Sequence, residues 1–251
     1  MKHFEVDQLD IRVYATRAEM GREAASMAAY KIREILAGQA SLNMIFAAAP
    51  SQNDFLHALI EQGIDWQRIN AFHMDEYIGL PENAPQRFGS FLNEKIFSKL
   101  PFATVNYING STPDPVAEAQ RYAKLLTDNP PDIVCMGIGE NGHIAFNDPH
   151  VADFNDPEMV KIVDLDHECR LQQVNDGCFA TLDNVPTHAL TLTIPALTNV
   201  RQIFCIVPGQ NKAKAVKETL SGDVSEACPA SILIKHPNAV LFLDDDSASL
   251  L

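Results

Sequence analysis

The chain has 251 residues, 46% of them hydrophobic, and its 19 Lys and Arg against 33 Asp and Glu leave a formal charge of −14. That length and apolar content suit a packed α/β chain and exclude disorder. The acidic balance excludes a nonspecific nucleic-acid binder, whose affinity needs clustered Lys and Arg, so an anionic ligand must be held by a few local donors. Met1 to Asp7 carries no apolar signal segment, and no run approaches the roughly 18 apolar residues of a membrane span. The expectation is a cytoplasmic protein with neither membrane nor nucleic acid as partner. Cys135, Cys169, Cys178, Cys205 and Cys228 are odd in number, scattered and without CxxC spacing, so neither a disulfide framework nor a metal site is expected.

Leu9 to Ala15 alternates as a strand does, and Thr16 stands as an N-cap with Glu19 three residues on. Arg17 to Leu36 has helical periodicity and stops at Gly38. A strand from Leu42 to Ala49 leads into Pro50-Ser51-Gln52-Asn53-Asp54, which opens a helix to about Gln62. Ser51 can cap that helix, or the turn's free amides can bind a phosphate. The turn is neither GxGxxG nor a Walker loop, so NAD and ATP are not expected and no cofactor is assigned. Arg68 to Met74 is a third strand ending at Asp75-Glu76-Tyr77, where the carboxyl end of a sheet strand can present Asp75 as a general base or use it in a turn.

Further on, Gln86 to Leu100 reads as a helix, Val105 to Ile108 as a strand and Pro115 to Leu126 as a helix. The apolar run from Asp132 to Met136 reads as a strand buried on both faces. It delivers Gly137-Ile138-Gly139-Glu140-Asn141-Gly142-His143-Ile144-Ala145-Phe146-Asn147-Asp148-Pro149. Gly137, Gly139 and Gly142 permit tight turns or close approach by a ligand, and His143 is the natural proton carrier there. Val151 to Glu158 is polar and has the composition of a surface loop or lid. Next come a strand at Val160 to Leu165, a helix at His167 to Cys178 and strands at Thr187 to Ile194 and Gln202 to Val207. Pro208-Gly209-Gln210-Asn211-Lys212 turns into a helix, placing a cation at a strand-to-helix turn. A short helix at Pro229 to Ile234 precedes a strand at Ala239 to Leu243, and Asp244-Asp245-Asp246 reads as a solvated terminus. Strands alternating with helices, without repeat or linker, indicate one α/β domain over 1–251 with a mainly parallel sheet.

Two segments, Phe72-His73-Met74-Asp75-Glu76-Tyr77-Ile78-Gly79-Leu80 and Gly137 to Pro149, resemble in order and separation the signature stretches of the glucosamine-6-phosphate deaminase family. Gly209-Gln210-Asn211-Lys212-Ala213 and Leu190-Thr191-Leu192-Thr193-Ile194 extend the likeness over most of the chain. The resemblance implies a modified Rossmann-like fold, shared with 6-phosphogluconolactonases and ribose-5-phosphate isomerases. It implies metal-free opening of an amino-sugar 6-phosphate, aldose-to-ketose isomerisation and loss of ammonia. By that match Asp75 removes the C2 proton, His143 assists ring opening with Asp148 as its carboxylate partner, and Asn141 stands beside the pair. Ser51, Gln52, Arg170 and Lys212 are the implied phosphate ligands, with Gly139 and Gly142 in the substrate loop and a possible lid at about 151–185.

The sequence departs from the family at Asn141, often Asp, and at Asp148, often Glu; Glu140 is the neighbouring carboxylate that could compensate. The family's Thr-Gly-Gly-Thr-like turn is replaced by Pro50 to Asn53, and the arginine of its Asn-Ser-Arg-Phe-Phe stretch is missing from Val174 to Phe179. Poor matches around Pro157 and Glu158 mean that hexamer formation and activation by an acetylated amino sugar do not carry over, although a homo-oligomer is allowed. Glucosamine 6-phosphate is the default substrate. Galactosamine 6-phosphate differs by one hydroxyl contact the motifs do not read, and 6-phosphogluconolactone hydrolysis and sugar-phosphate sensing are the remaining readings.

Overall fold

The computed structural model describes all 251 residues. In chain order it holds β1 (Lys2–Val6), β2 (Leu9–Tyr14), α1 (Arg17–Gly38), β3 (Leu42–Phe46), α2 (Asn53–Ile60), β4 (Ile69–His73), β5 (Asp75–Tyr77) and α3 (Phe88–Leu92). There follow β6 (Thr104–Asn106), α4 (Pro115–Asp128), β7 (Ile133–Met136), β8 (Val160–Asp164), α5 (His167–Asn175), β9 (His188–Leu192), α6 (Ile194–Thr198), β10 (Gln202–Val207), α7 (Ala213–Ser221) and β11 (Ala239–Asp244).

Eight strands form the main sheet in the order β1-β2-β11-β10-β7-β3-β4-β6, parallel except for the β1–β2 hairpin. The expected α/β architecture with a mainly parallel sheet is therefore present. β7 lies between β3 and β10, so the loop after it emerges beside the Pro50 turn after β3 and the Lys212 turn after β10. Side-chain alternation divides the core: Ile133 and Cys135 join α1 and α2 on one face, while Val134 and Met136 join α4, α6 and α7 on the other. The β7 run is wholly buried because both faces are covered.

Local rules hold where they are strong. The Thr16 hydroxyl accepts the Glu19 N–H at 3.2 Å, and Gly21 lets α1 lie against α2, since a Cβ there would come within 2.8 Å of Asp54.

Several expectations are corrected. β1 was not foreseen, because its residues are almost all exposed and its stability comes from backbone pairing with β2. The helix expected over Gln86 to Leu100 is a short α3 that widens over Asn93–Phe97. The third strand does not run into Asp75: β4 ends at His73, and Asp75 begins β5, which belongs to a second antiparallel sheet ordered β5-β9-β8. Ser51 caps no helix; Pro50–Gln52 is a single 3-10 turn without a side-chain cap. The Pro229 helix is likewise a 3-10 segment, Pro229–Lys235. Asp244 is buried, with only Asp245 and Asp246 left as a solvated pair.

Candidate active site

The ends of β3, β7 and β10 and the start of β5 surround an open cleft of about 870 Å³. Asp75, His143, Gly139, Ser51, Gln52 and Lys212 all line it, so six of the residues singled out from the sequence share one cleft.

The loop after β7 owes its shape to a tight turn. Ile144 and Asn147 form an isolated antiparallel bridge, the Asn147 N–H bonding the Ile144 carbonyl at 3.2 Å. Ala145 inside the turn takes a positive φ of 49°, a conformation unfavourable for a residue with a Cβ. The buried Asn147 amide ties the turn to the Ile144 and Leu192 carbonyls at 3.0 and 2.8 Å. His143 and Asp148 flank the bridged pair and so face each other, with Nδ1 of His143 2.9 Å from Oδ1 of Asp148. The approach is close, but Nδ1 is not aligned for a hydrogen bond. Gly139 lies against the histidine ring, and a Cβ there would collide with it.

Asn141 holds this pair from behind. Its amide donates to Asp148 at 3.1 Å and Asp166 at 3.2 Å, while its oxygen accepts the His143 backbone N–H at 3.1 Å. An aspartate there could donate to neither carboxylate, which accounts physically for Asn in this chain. Glu140 does not compensate: it accepts from Asn211 at 2.7 Å, and its N–H donates to Gln172 at 2.9 Å. Gly142 lies off the cleft, with a φ of +84° and its α-carbon facing Cys228, where a Cβ would come within 2.9 Å of the sulfur. Its part is to shape the loop.

The two buried carboxyls differ in charge environment. Burial drives the Asp75 carboxyl well above the usual carboxylate range, the neighbouring Glu76 adds to the rise, and no donor opposes it. Glu76 is fully buried and accepts N–H bonds from Tyr77, Phe88 and Gly89 at 3.0 to 3.1 Å, which anchors the start of α3. Burial also disfavours the Asp148 carboxylate, but His143, Asn141 and the Asp166 N–H outweigh it and hold that carboxyl below its usual range. His73 takes no part; burial lowers its pKa to about 3, and its Nε2 accepts the Ile108 N–H.

Lys212, Ser51 and Gln52 lie in the same cleft. Burial lowers the Lys212 pKa, with Asp176 and Glu140 opposing the drop, so a bound anion would favour its charged form. The lysine turn is clamped by Asp244, whose carboxylate accepts the Gly209 N–H at 3.0 and 3.1 Å. Gln52 donates to the Ile206 carbonyl at 3.1 Å and the Ser51 hydroxyl oxygen at 3.2 Å, leaving the Ser51 proton free for a ligand.

Arg170 does not reach the cleft: its guanidinium donates to the Leu182 and Val185 carbonyls at 2.8 and 2.9 Å. Sequence reasoning missed Arg17, which lines the cleft while bonding Asp54 at 2.6 Å and the Pro50 carbonyl at 3.1 Å. The available signal was its place at the start of the helix after β2, on the ligand-binding side of a parallel sheet. Gln172, Gln173 and Asp176 also line the cleft, where the family's missing arginine left no motif to follow.

The family model for glucosamine-6-phosphate isomerases and 6-phosphogluconolactonase matches residues 15–242. A curated glucosamine-6-phosphate deaminase of Listeria monocytogenes is 36% identical over 91% of this chain and 96% of its own length. One from Bacillus thuringiensis is 36% identical over 91% of this chain and 86% of its own. Among solved structures, a monomeric glucosamine-6-phosphate deaminase of the NagB superfamily superposes with a TM-score of 0.88 at 29% identity, over 96% of this chain and 99% of that one. A 6-phosphogluconolactonase of Thermotoga maritima, with a TM-score of 0.77 and 20% identity over 94% of this chain and 99% of that one, shares the fold. No helix is long and apolar enough to cross a membrane. The matched span, together with the shared cleft of Asp75, His143 and Lys212, makes the chain a member of the glucosamine-6-phosphate isomerase/6-phosphogluconolactonase family.

Proposed function

We propose that this protein converts glucosamine 6-phosphate and water to fructose 6-phosphate and ammonia. The observation carrying the reading is a buried Asp75, its carboxyl driven above the usual carboxylate range, in the same cleft as a His143 backed by Asp148, whose carboxyl is held below that range. Abstracting a C–H proton beside a carbonyl needs a carboxylate of raised basicity, while the sugar oxygens need a separate proton carrier, a task an imidazole suits. The deaminase relatives support an amino sugar as the substrate.

His143 moves a proton to the ring oxygen as the C1–O5 bond opens, and Asp148 stabilises the charged ring. Asp75 then takes the C2 proton and returns it to C1, while one proton passes from the amino nitrogen to O1, leaving a C1 alcohol and a C2 imine. Water adds at C2, the C–N bond breaks and ammonia leaves. Lys212, the Ser51 hydroxyl and Arg17 hold the phosphate, Gln52 fixes the Ser51 turn, and Asn141 positions Asp148. The 151–185 segment, which carries Gln172, Gln173 and Asp176 to the cleft, closes over the substrate.

The test is a coupled assay of ammonia and ketose phosphate release from glucosamine 6-phosphate and galactosamine 6-phosphate, beside NMR-monitored opening of 6-phosphogluconolactone. Turnover of the glucosamine substrate is expected. Preference for the C4 epimer would change the assigned sugar, and lactone opening without ammonia release would remove the isomerase mechanism.

A further inference from the structure

Cys169 is the third residue of α5, where its N–H bonds the Asp166 side chain at 2.6 Å. A ligand atom from each of His143, Asp148 and Cys169 lies within 4.8 Å of the other two, and all three residues are buried. They come from both ends of the catalytic turn and from a helix that follows it, so only the fold assembles them. The Nδ1 of His143 is buried without an aligned hydrogen-bond partner.

Imidazole nitrogen, carboxylate oxygen and thiolate sulfur are the donors of a borderline divalent cation, and one carboxylate with one thiolate balances its two charges. Metal–ligand bonds of about 2.0 to 2.3 Å would set the three atoms about 3.3 to 3.8 Å apart, so Nδ1 of His143 and Oδ1 of Asp148, now 2.9 Å apart, separate slightly and the cluster stays within its present 4.8 Å. We propose that His143, Asp148 and Cys169 form an inhibitory binding site for Zn²⁺, reached through the cleft that His143 lines. On binding, the Cys169 S–H bond breaks, its proton passes to solvent and a sulfur–metal bond forms. His143 and Asp148 each donate a lone pair, and nothing is oxidised. With its ring nitrogen on the metal and Asp148 withdrawn as counterion, His143 cannot move the proton at the sugar oxygen. The inhibition rests on the function proposed above; the binding does not.

The experiment titrates the full chain with Cd²⁺, reading the sulfur-to-metal absorption band, and separately measures Zn²⁺ inhibition of ammonia release. One equivalent should produce a band that is lost in Cys169→Ala and in His143→Gln. Cys169→Ala should keep metal-free turnover and resist Zn²⁺ at least about tenfold better. Cys169→Ser is the second variant should the alanine protein unfold, checked by its thermal transition. A band that persists without Cys169, or equal Zn²⁺ sensitivity of wild type and variant, overturns the proposal. Absence of ammonia release with the Cys169-dependent band intact would instead remove only the inhibitory consequence and the proposed reaction.

Discussion

Asp75 lines the cleft and Asp148 lies behind the cleft residue His143; both are buried, yet their carboxyls are driven in opposite directions. Asp75 starts a strand beside another acid and receives no donor that offsets burial. Asp148 follows a turn that surrounds it with His143, Asn141 and the Asp166 N–H. Burial sets the cost of the charge in both cases, and the donors decide whether that cost is met. From one residue type the two environments give one carboxyl that favours its proton and one that favours its charge.

The largest expected effect is at Asp75. Asp75→Asn should lower kcat for ammonia release by about three orders of magnitude, because it removes the proposed C2 base, and the other acid lining the cleft, Asp176, follows α5 and interacts with Lys212. A raised folded pKa gives stability below the usual carboxylate range that is lost as pH rises through the folded value. The same variant should therefore unfold at a higher temperature than wild type near neutral pH. Unchanged turnover would remove the mechanism, and a lowered transition would break the contrast with Asp148.

Asp148→Asn should lower kcat by about a hundredfold and also lower the thermal transition near neutrality. Its depressed pKa contributes stability above the usual carboxylate range that is lost as pH falls through the folded value. Opposite stability shifts in the two Asn variants, measured side by side, sharpen the comparison.

Lys212→Ala should raise KM for the sugar phosphate by about 10- to 100-fold while changing kcat less, as expected for loss of a charge-assisted contact. Glu76→Gln should shift the acid limb of the kcat/KM profile to lower pH, because it removes the neighbouring charge that helps raise Asp75. Arg170→Ala should leave KM unchanged and cost about 1 to 3 kcal/mol in denaturant unfolding, since two carbonyls lose their donor. A large KM effect there would return Arg170 to the phosphate site.

Much of this site was legible in the chain. Asp75, His143 and Lys212 follow apolar strand-length runs, and a parallel sheet gathers such positions along one edge. Arg17 lines the cleft unannounced by any motif and Arg170 does not reach it, because an arginine's reach depends on which carbonyls and carboxylates meet it, and those belong to distant segments. Asp244 was read as a solvated acid for the same reason: its partner, the Gly209 N–H, becomes its neighbour only through the pairing of β10 with β11.

The sequence alone determined the alternation of strands and helices, the buried β7 run and the glycine-rich loop that carries His143 after it, because periodicity and glycines act over a few residues. The tertiary structure decided strand order, the transfer of Asp75 to a second sheet, the meeting of Cys169 with His143 and Asp148 and the direction in which each buried carboxyl is driven. Those depend on burial and on donors brought from far along the chain, for which local sequence carries no signal.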